Sequence, residues 1–267
     1  MTRLCVATWN INSLRLRHPL LDKLRDTLDP DVICLQETKV PDDLFPDGVP
    51  GDLGYPHVVR RGMKGYNGVA ILSRLPIVAH EDPPNWCEKG DCRHIGATVQ
   101  TPSGPVEIHD FYVPAGGDIP DPALNVKFAH KLAFIAEATN WFAARRCERT
   151  ILVGDLNVAP LEHDVWSHKQ LLGVVSHTPI EVEVFNAWRE TTFVDALRHF
   201  VPEHEKLYTW WSYRNADWRR SNRGRRLDHI WVTPDLVPNL VRHEVLVDAR
   251  DWERTSDHVP VSVELEL

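Results

Sequence analysis

Short apolar runs of strand length, closed by proline, glycine or aspartate turns, recur from one end of this chain to the other and restrict it to a sheet-rich architecture. The runs cover 4–9, 32–35, 68–72, 95–100, 106–113, 150–153, 227–232, 240–247 and 259–265. In the last of them Val259, Val261, Val263 and Leu265 alternate with Pro260, Ser262, Glu264 and Glu266, the period of a strand with one face buried. Helical signals are fewer. Asp121-Pro122 supplies an N-cap and a first-turn proline. Leu124, Phe128, Leu132, Ile135 and Phe142 then follow at helical steps and predict a long helix over 122–146. Thr178-Pro179-Ile180-Glu181 has the form of a capping box, with Val184 and Trp188 on one face of the helix it opens. Leu20, Leu24 and Leu28 mark a third helix. Many strands and few helices predict an α/β protein of stacked mixed sheets covered by helices. At 267 residues and 43% hydrophobic, the chain can build a large core without staples. No repeat, low-complexity stretch or long linker divides it, which predicts one domain over 1–267.

The formal net charge of -8 excludes a protein that grips nucleic acid by bulk charge. It leaves room for an enzyme whose acids hold a metal while its basic groups sit elsewhere. The five cysteines are odd in number, and Cys5 and Cys34 lie inside apolar runs, so no disulfide framework is expected and a reducing cytoplasm is. The opening residues carry no signal-peptide pattern, and no apolar run approaches the ~20 residues of a membrane span.

The polar groups at the strand ends carry the chemistry. Asn10 ends the first run, Glu37 follows the second, Asp155 and Asn157 follow 150–153, Asp228 opens 227–232, and Asp257-His258 precedes the last run. In mixed sheets the ends of some strands and the starts of others share one edge, where these groups can meet. Converging carboxylates repel one another unless a cation neutralises them, and oxygen ligands select a hard ion such as Mg²⁺ or Mn²⁺. His258, beside a carboxylate, reads as an acid/base or phosphate-binding group. A lone aspartate at a strand end is ordinarily a turn or cap residue; the accumulation favours the shared cation.

Several peptides occur in a characteristic order. They are Thr8-Trp9-Asn10-Ile11-Asn12-Ser13-Leu14-Arg15, Leu35-Gln36-Glu37-Thr38-Lys39, Tyr66-Asn67-Gly68-Val69-Ala70 and Tyr112-Val113-Pro114. Next come Gly154-Asp155-Leu156-Asn157-Val158-Ala159-Pro160, Asn222-Arg223-Gly224-Arg225-Arg226-Leu227-Asp228 and Ser256-Asp257-His258-Val259-Pro260-Val261. Over nearly the whole chain this set resembles the exonuclease III family of the endonuclease/exonuclease/phosphatase superfamily. The resemblance implies a four-layer α/β sandwich, with two mixed sheets face to face and helices on the outer faces. It also implies Mg²⁺-dependent DNA repair: 3′→5′ exonuclease action on duplex ends, abasic-site incision and 3′-phosphate removal. By the matching motifs, Glu37 is the main metal ligand with Asn10 close by, and Asp257 is a second candidate ligand. Asp155 activates or orients water, Asn157 and His258 hold the scissile phosphate, and Asp228 orients His258 or the phosphate. Asp155, Asn157 and His258 count among the metal-site groups too. Tyr112 lies on the phosphate or near the leaving oxygen.

Arg214–Arg226 holds six arginines and follows Tyr208-Thr209-Trp210-Trp211-Ser212-Tyr213. Arginines interleaved with aromatics suit phosphate contact and stacking. The expected DNA contacts are therefore Trp210, Trp211, Arg214, Arg223 and Arg225, with Arg60 and Asn67 near the 66–68 turn. In the family the segment after Asn157 borders DNA, which adds His168. Cys87, Cys92 and His94 are too loosely spaced for zinc and read as a surface loop. Two departures from the family bear on substrate. Ala115 stands where relatives often carry an amide, and Arg225 where abasic-site-cleaving relatives often carry an apolar residue walling the sugar pocket with aromatics matched by Trp210 and Trp211. Weakened abasic incision is the expectation. The expected partner is duplex DNA with 3′ ends or abasic sites, met by a monomer without a membrane. The alternatives are a phosphatase or phosphodiesterase of the same fold acting on RNA or a small ester, and a non-catalytic nucleic-acid binder. The second is disfavoured because all the carboxylates are present.

Overall fold

In a computed structural model describing residues 2–267, the apolar runs become two six-stranded sheets. The first sheet contains β1 (Arg3–Asn10), β2 (Val32–Gln36), β3 (His57–Met63), β4 (Tyr66–Ser73), β11 (Leu240–Val245) and β12 (Val261–Glu266), in the order β11-β12-β1-β2-β4-β3. The second contains β5 (Ile77–Glu81), β6 (His94–Thr101), β7 (Gly104–Tyr112), β8 (Thr150–Asp155), β9 (Val194–Asp195) and β10 (Asp228–Val232), in the order β5-β6-β7-β8-β10-β9. β1 and β2 are parallel, as are β7 and β8; the other neighbours are antiparallel.

The period of two assigns each residue to a layer. Leu4, Val6, Val32, Cys34, Ile71, Ile108, Ile151, Val153, Ile230, Val261 and Val263 fill the space between the sheets. Trp9, Ile33, Leu35 and Leu72 face outward onto Leu20, Leu21 and Leu24 of the helix Leu20–Leu28. Phe111, Leu152 and Trp231 face outward onto the helices Val126–Ala143 and Pro179–Thr192. The result is the expected four-layer sandwich.

The Thr178–Glu181 capping box forms as predicted. The long helix starts later than predicted, at Val126, because Asn125 and not Asp121 caps it. Asp121 and Pro122 form a separate turn, with Asp121 accepting from Ala123 N–H at 2.8 Å. Among the described residues no helix is long and apolar enough to cross a membrane.

Candidate active site

The same alternation that buries valine and isoleucine between the sheets delivers polar groups at one rim. On β1 the inward series Leu4, Val6, Thr8 ends at Asn10; on β8 the series Ile151, Val153 ends at Asp155. β10 runs antiparallel to β8 and so begins at that rim, with Asp228 directly opposite Asp155. β7 runs parallel to β8 and brings Tyr112 level with Asp155. β12 is antiparallel to β1, so the Asp257-His258 segment leading into it arrives at the same edge. Two sharp turns complete the set. Glu37 and Asn157 both have left-handed φ, 52° and 54°. Gly154, at φ 137°, lets the backbone pass where a Cβ would lie 1.9 Å from the Phe111 carbonyl oxygen.

Asp155 is the hub. Its Oδ2 accepts from Asn10 Nδ2 at 2.9 Å and Asn157 Nδ2 at 3.1 Å, and His258 Nε2 stands 3.6 Å away. Its Oδ1 accepts from the Asn157 backbone N–H at 3.0 Å. Asn10 Nδ2 also donates to Glu37 Oε1 at 3.0 Å, as does the Tyr112 hydroxyl at 2.9 Å. His258 Nδ1 lies 2.8 Å from Asp228 Oδ2, which also accepts from Thr209 Oγ1 at 2.6 Å. Asp257 accepts from Asn12 Nδ2 at 3.2 Å and from the Trp210 indole N–H at 2.9 Å. A cavity of about 310 Å³ opens over these groups, walled by Trp210, Arg225, Val175 and Ser176.

Burial sets the electrostatics. It pushes the Asp155 carboxyl up to about 7, with Asp228 and Glu37 adding repulsion against the pull of His258. Burial opposes the charge on His258, yet Asp228 and Asp155 overcome it and hold the imidazolium up at about 10. Glu37 resists burial through the Asn10 and Lys39 hydrogen bonds, which keep its carboxyl below its ordinary value. Tyr112 is pushed well up by burial and by Glu37 and Asp155. The donor set fits a hard divalent cation. Glu37, Asp118, Asp155, Asp228 and Asp257 bring five carboxylates, against three protein cations, Lys39, Arg225 and His258. Asp228 Oδ1 is buried with no hydrogen-bond partner. Among the described residues, the group with metal-ligand spacing is Asp155, Asp228 and His258. Cys87, Cys92 and His94 form no such group; His94 instead pairs with His109 at 3.0 Å.

The structure thus brings Asn10, Glu37, Tyr112, Asp155, Asn157, Asp228, Asp257 and His258 together. Of the expected DNA contacts, Trp211 and Asn67 are buried and Arg60 lines another cavity. Trp211 is 2% exposed and packs among Tyr208, Trp218 and Val259, so no base can stack on it. Asn67 is 1% exposed and accepts from Cys92 N–H, holding the loop behind Lys39. Arg60 is paired with Asp47 and lies over Phe45, lining a different cavity. His168 is tied to His177 at 2.8 Å. The arginine run divides: Arg226 is fully buried against Asp164 and Asp195, and Arg219 pairs with Asp248 and Asp251. Arg214, Arg223 and Arg225 face a common cavity.

Residues that spacing did not single out support the rim. Lys39 Nζ lies 2.7 Å from Glu37 Oε2 and donates to Asn12 Oδ1 at 2.6 Å. Thr209 steadies Asp228. Lys131 is fully buried, reaches the Asn157 carbonyl at 2.7 Å and pairs with Glu181 at 2.5 Å. Glu181 in turn accepts from Ser176 and Thr178 N–H. The capping box was legible; that its glutamate also anchors a buried lysine was not, because only the fold brings Lys131 there.

Comparison with known proteins agrees with this geometry. Residues 7–258 match the model of the endonuclease/exonuclease/phosphatase family. The exodeoxyribonuclease III of Haemophilus influenzae is 32% identical over 96% of this chain and 98% of its own length. The structure of an AP endonuclease from Archaeoglobus fulgidus superposes with a TM-score of 0.91 at 31% identity, covering 99% of this chain and all (100%) of that one. A 3′ phosphatase from Neisseria bound to a product DNA hairpin gives 0.89 at 32% identity, over 99% and 100% of the two chains. This chain therefore belongs to the endonuclease/exonuclease/phosphatase family, as an exonuclease III-like phosphodiester hydrolase.

Proposed function

We propose that the chain is a Mg²⁺-dependent DNA repair nuclease, Mn²⁺ serving as a substitute, acting at 3′ ends of duplex DNA as a 3′→5′ exonuclease and 3′-phosphatase. Abasic-site incision is the weaker activity. The observation that carries this reading is Asp155 at the centre of Asn10, Asn157 and His258, in a cavity walled by Trp210 and Arg225.

Hydrolysis requires an in-line water, charge stabilisation on the non-bridging oxygens and a stabilised leaving oxygen. Asp155, whose carboxyl burial raises above its ordinary value, stands between Asn10, Asn157 and His258 where it can take a proton from that water. The His258 imidazolium donates to a phosphate oxygen, with Asp228 keeping it charged and oriented, and the Asn157 amide, bonded here to Asp155 and the Val113 carbonyl, turns to the phosphate when it binds. The Tyr112 hydroxyl, which donates to Glu37, would serve the leaving side. Glu37, with Asn10 alongside, would hold the cation, which when bound supplies Lewis-acid stabilisation of phosphate charge.

Arg225 supports the weak abasic activity. Its guanidinium lies 5.4 Å over the Trp210 ring and donates to Ser176 Oγ at 2.8 Å, so a charged group fills the wall that an apolar sugar would need. The test uses 3′-recessed, 3′-phosphate and abasic duplexes with and without Mg²⁺. Release from the first two should depend on the cation, and abasic incision should lag by about 1–2 orders of magnitude, as expected when a pocket loses its apolar wall. Efficient hydrolysis after chelation, or turnover of small esters with none of DNA, would end this reading. Arg225→Trp should raise abasic incision selectively.

A further inference from the structure

Three turns around the catalytic cavity each contain a residue with left-handed φ: Gly116 at 90°, Asn157 at 54° and Ser176 at 90°. Backbone groups in such turns have no ladder partner, and a buried one must find another donor or acceptor. Four of them are met by one ion pair. Lys131 Nζ donates to the Asn157 carbonyl at 2.7 Å and lies 3.5 Å from the Ala115 carbonyl. Glu181 accepts from the backbone N–H of Ser176 at 3.0 Å and of Thr178 at 3.2 Å. The ammonium and the carboxylate are 2.5 Å apart, and both side chains are fully buried. The packing there is tight: a Cβ on Gly116 would lie 3.0 Å from Lys131 Cδ.

For stability alone such a pair is a poor choice. Two charges taken out of water are seldom worth more than two apolar side chains of like volume. What the apolar alternative lacks is a donor for a carbonyl. The carbonyl held here belongs to Asn157, whose amide is bonded to Asp155 Oδ2 and the Val113 carbonyl and must turn to reach a phosphate. A side chain that turns arrives in one place only if its backbone stays still. The Asn157 backbone sits in a region that residues other than glycine reach only under strain, so it stays there only when its surroundings hold it. Its N–H also fixes Asp155 Oδ1 at 3.0 Å, so a shift of this one residue would disturb both groups.

We infer that Lys131 is a positioning residue for hydrolysis, which clamps the Asn157 backbone from beneath the site and so keeps the amide and Asp155 aligned with the scissile phosphate. Glu181 neutralises the lysine and ties the clamp to the Ser176 wall of the cavity. The inference rests on the phosphate-binding role proposed above for Asn157, and adds to it a side chain that does not touch the substrate.

The test measures kcat, KM and melting temperature together, on a 3′-phosphate duplex with Mg²⁺. Lys131→Met removes the donor and leaves Glu181 buried without its cation. Its melting temperature should fall by roughly 10 °C. Its kcat should fall by about 1–2 orders of magnitude, the scale of a ~1 Å displacement, with KM within about threefold of the wild type. Glu181→Gln leaves the lysine, charged or neutral, to donate to the Asn157 carbonyl; it should lose stability yet keep kcat within about threefold. The double variant Lys131→Met/Glu181→Gln carries neither buried charge and should regain most of the lost stability while kcat stays low. A double variant that regains both stability and kcat would make the pair a device of the fold and overturn the inference. Equal kcat losses in the two single variants would overturn it too, a comparison made on folded protein at low temperature and open even if the double variant does not fold. A loss carried by KM alone would overturn it in favour of a role in binding. No phosphate release by the wild type would instead remove the 3′-end reading on which it rests.

Discussion

Two buried clusters of charge lie close together along β10, built to opposite balances. In the cluster formed by Arg226, Arg198, Asp164 and Asp195, two guanidiniums meet two carboxylates at 2.5–2.8 Å, so the charges balance, although Arg198 Nε has no partner. In the rim cluster, Glu37, Asp118, Asp155, Asp228 and Asp257 outnumber Lys39, Arg225 and His258, and Asp228 Oδ1 has no donor. Both clusters remove charge from water, which is costly for each ion. The first recovers that cost through its own bidentate pairs and contributes to the fold. The second stays short of positive charge and is left to be completed from outside, by a cation. The difference between a structural and a catalytic cluster is thus a sum over charges.

The comparison can be broken most decisively at Asp155. Asp155→Asn keeps the shape but removes the group that takes the proton, and hydrolysis should fall by about three orders of magnitude, roughly 4 kcal/mol in the barrier. Duplex binding, measured by anisotropy, should be nearly unchanged. If binding and turnover fall together, Asp155 belongs with the structural cluster. Arg226→Met tests the other side. It leaves Asp164 and Asp195 buried without a full partner and should cost about 3–5 kcal/mol, lowering the melting temperature by roughly 10 °C. The specific activity of the folded fraction should be retained; a large loss in that fraction would blur the division.

Asp110 sharpens the comparison with a smaller effect. It is fully buried between the sheets, its Oδ1 accepts from Gln36 Nε2 at 2.6 Å, and Oδ2 has no partner. Burial pushes its carboxyl well above the ordinary range. The folded state therefore holds the proton more tightly than the unfolded chain, so stability declines as pH rises above the unfolded value, by at most about 1.4 kcal/mol per unit. Asp110→Asn should remove that decline, so that the variant gains on the wild type between mildly acid and neutral pH in denaturant titrations. Parallel pH curves for the two proteins would refute the assignment.

Much of the frame was legible because the core strands are apolar throughout and their ends are polar. The strands that escaped were the ones packing does not mark. β3 is a partly exposed edge strand carrying Arg60 and Arg61, β5 is an exposed edge strand, and β9 has two residues. The rim residues were found through strand ends and ordered motifs. Of the arginine run, the three expected contacts Arg214, Arg223 and Arg225 share a cavity, while the adjacent Arg226 is buried in ion pairs that only the fold supplies. Trp210 and Trp211 divide in the same way across a strand-like alternation, one at the cavity and one in the core.

The rim joins the first strand to the last. The Trp9 indole donates to the His258 carbonyl at 3.0 Å across 249 positions, and β12 sits between β1 and β11. During synthesis the ribosome delivers Glu37 and Asp155 long before His258, while β1 still lacks its neighbour. Such distant pairing forms late and slowly. A chain that has not yet delivered His258 therefore lacks both the imidazolium that pairs with Asp228 and the carbonyl that anchors Trp9.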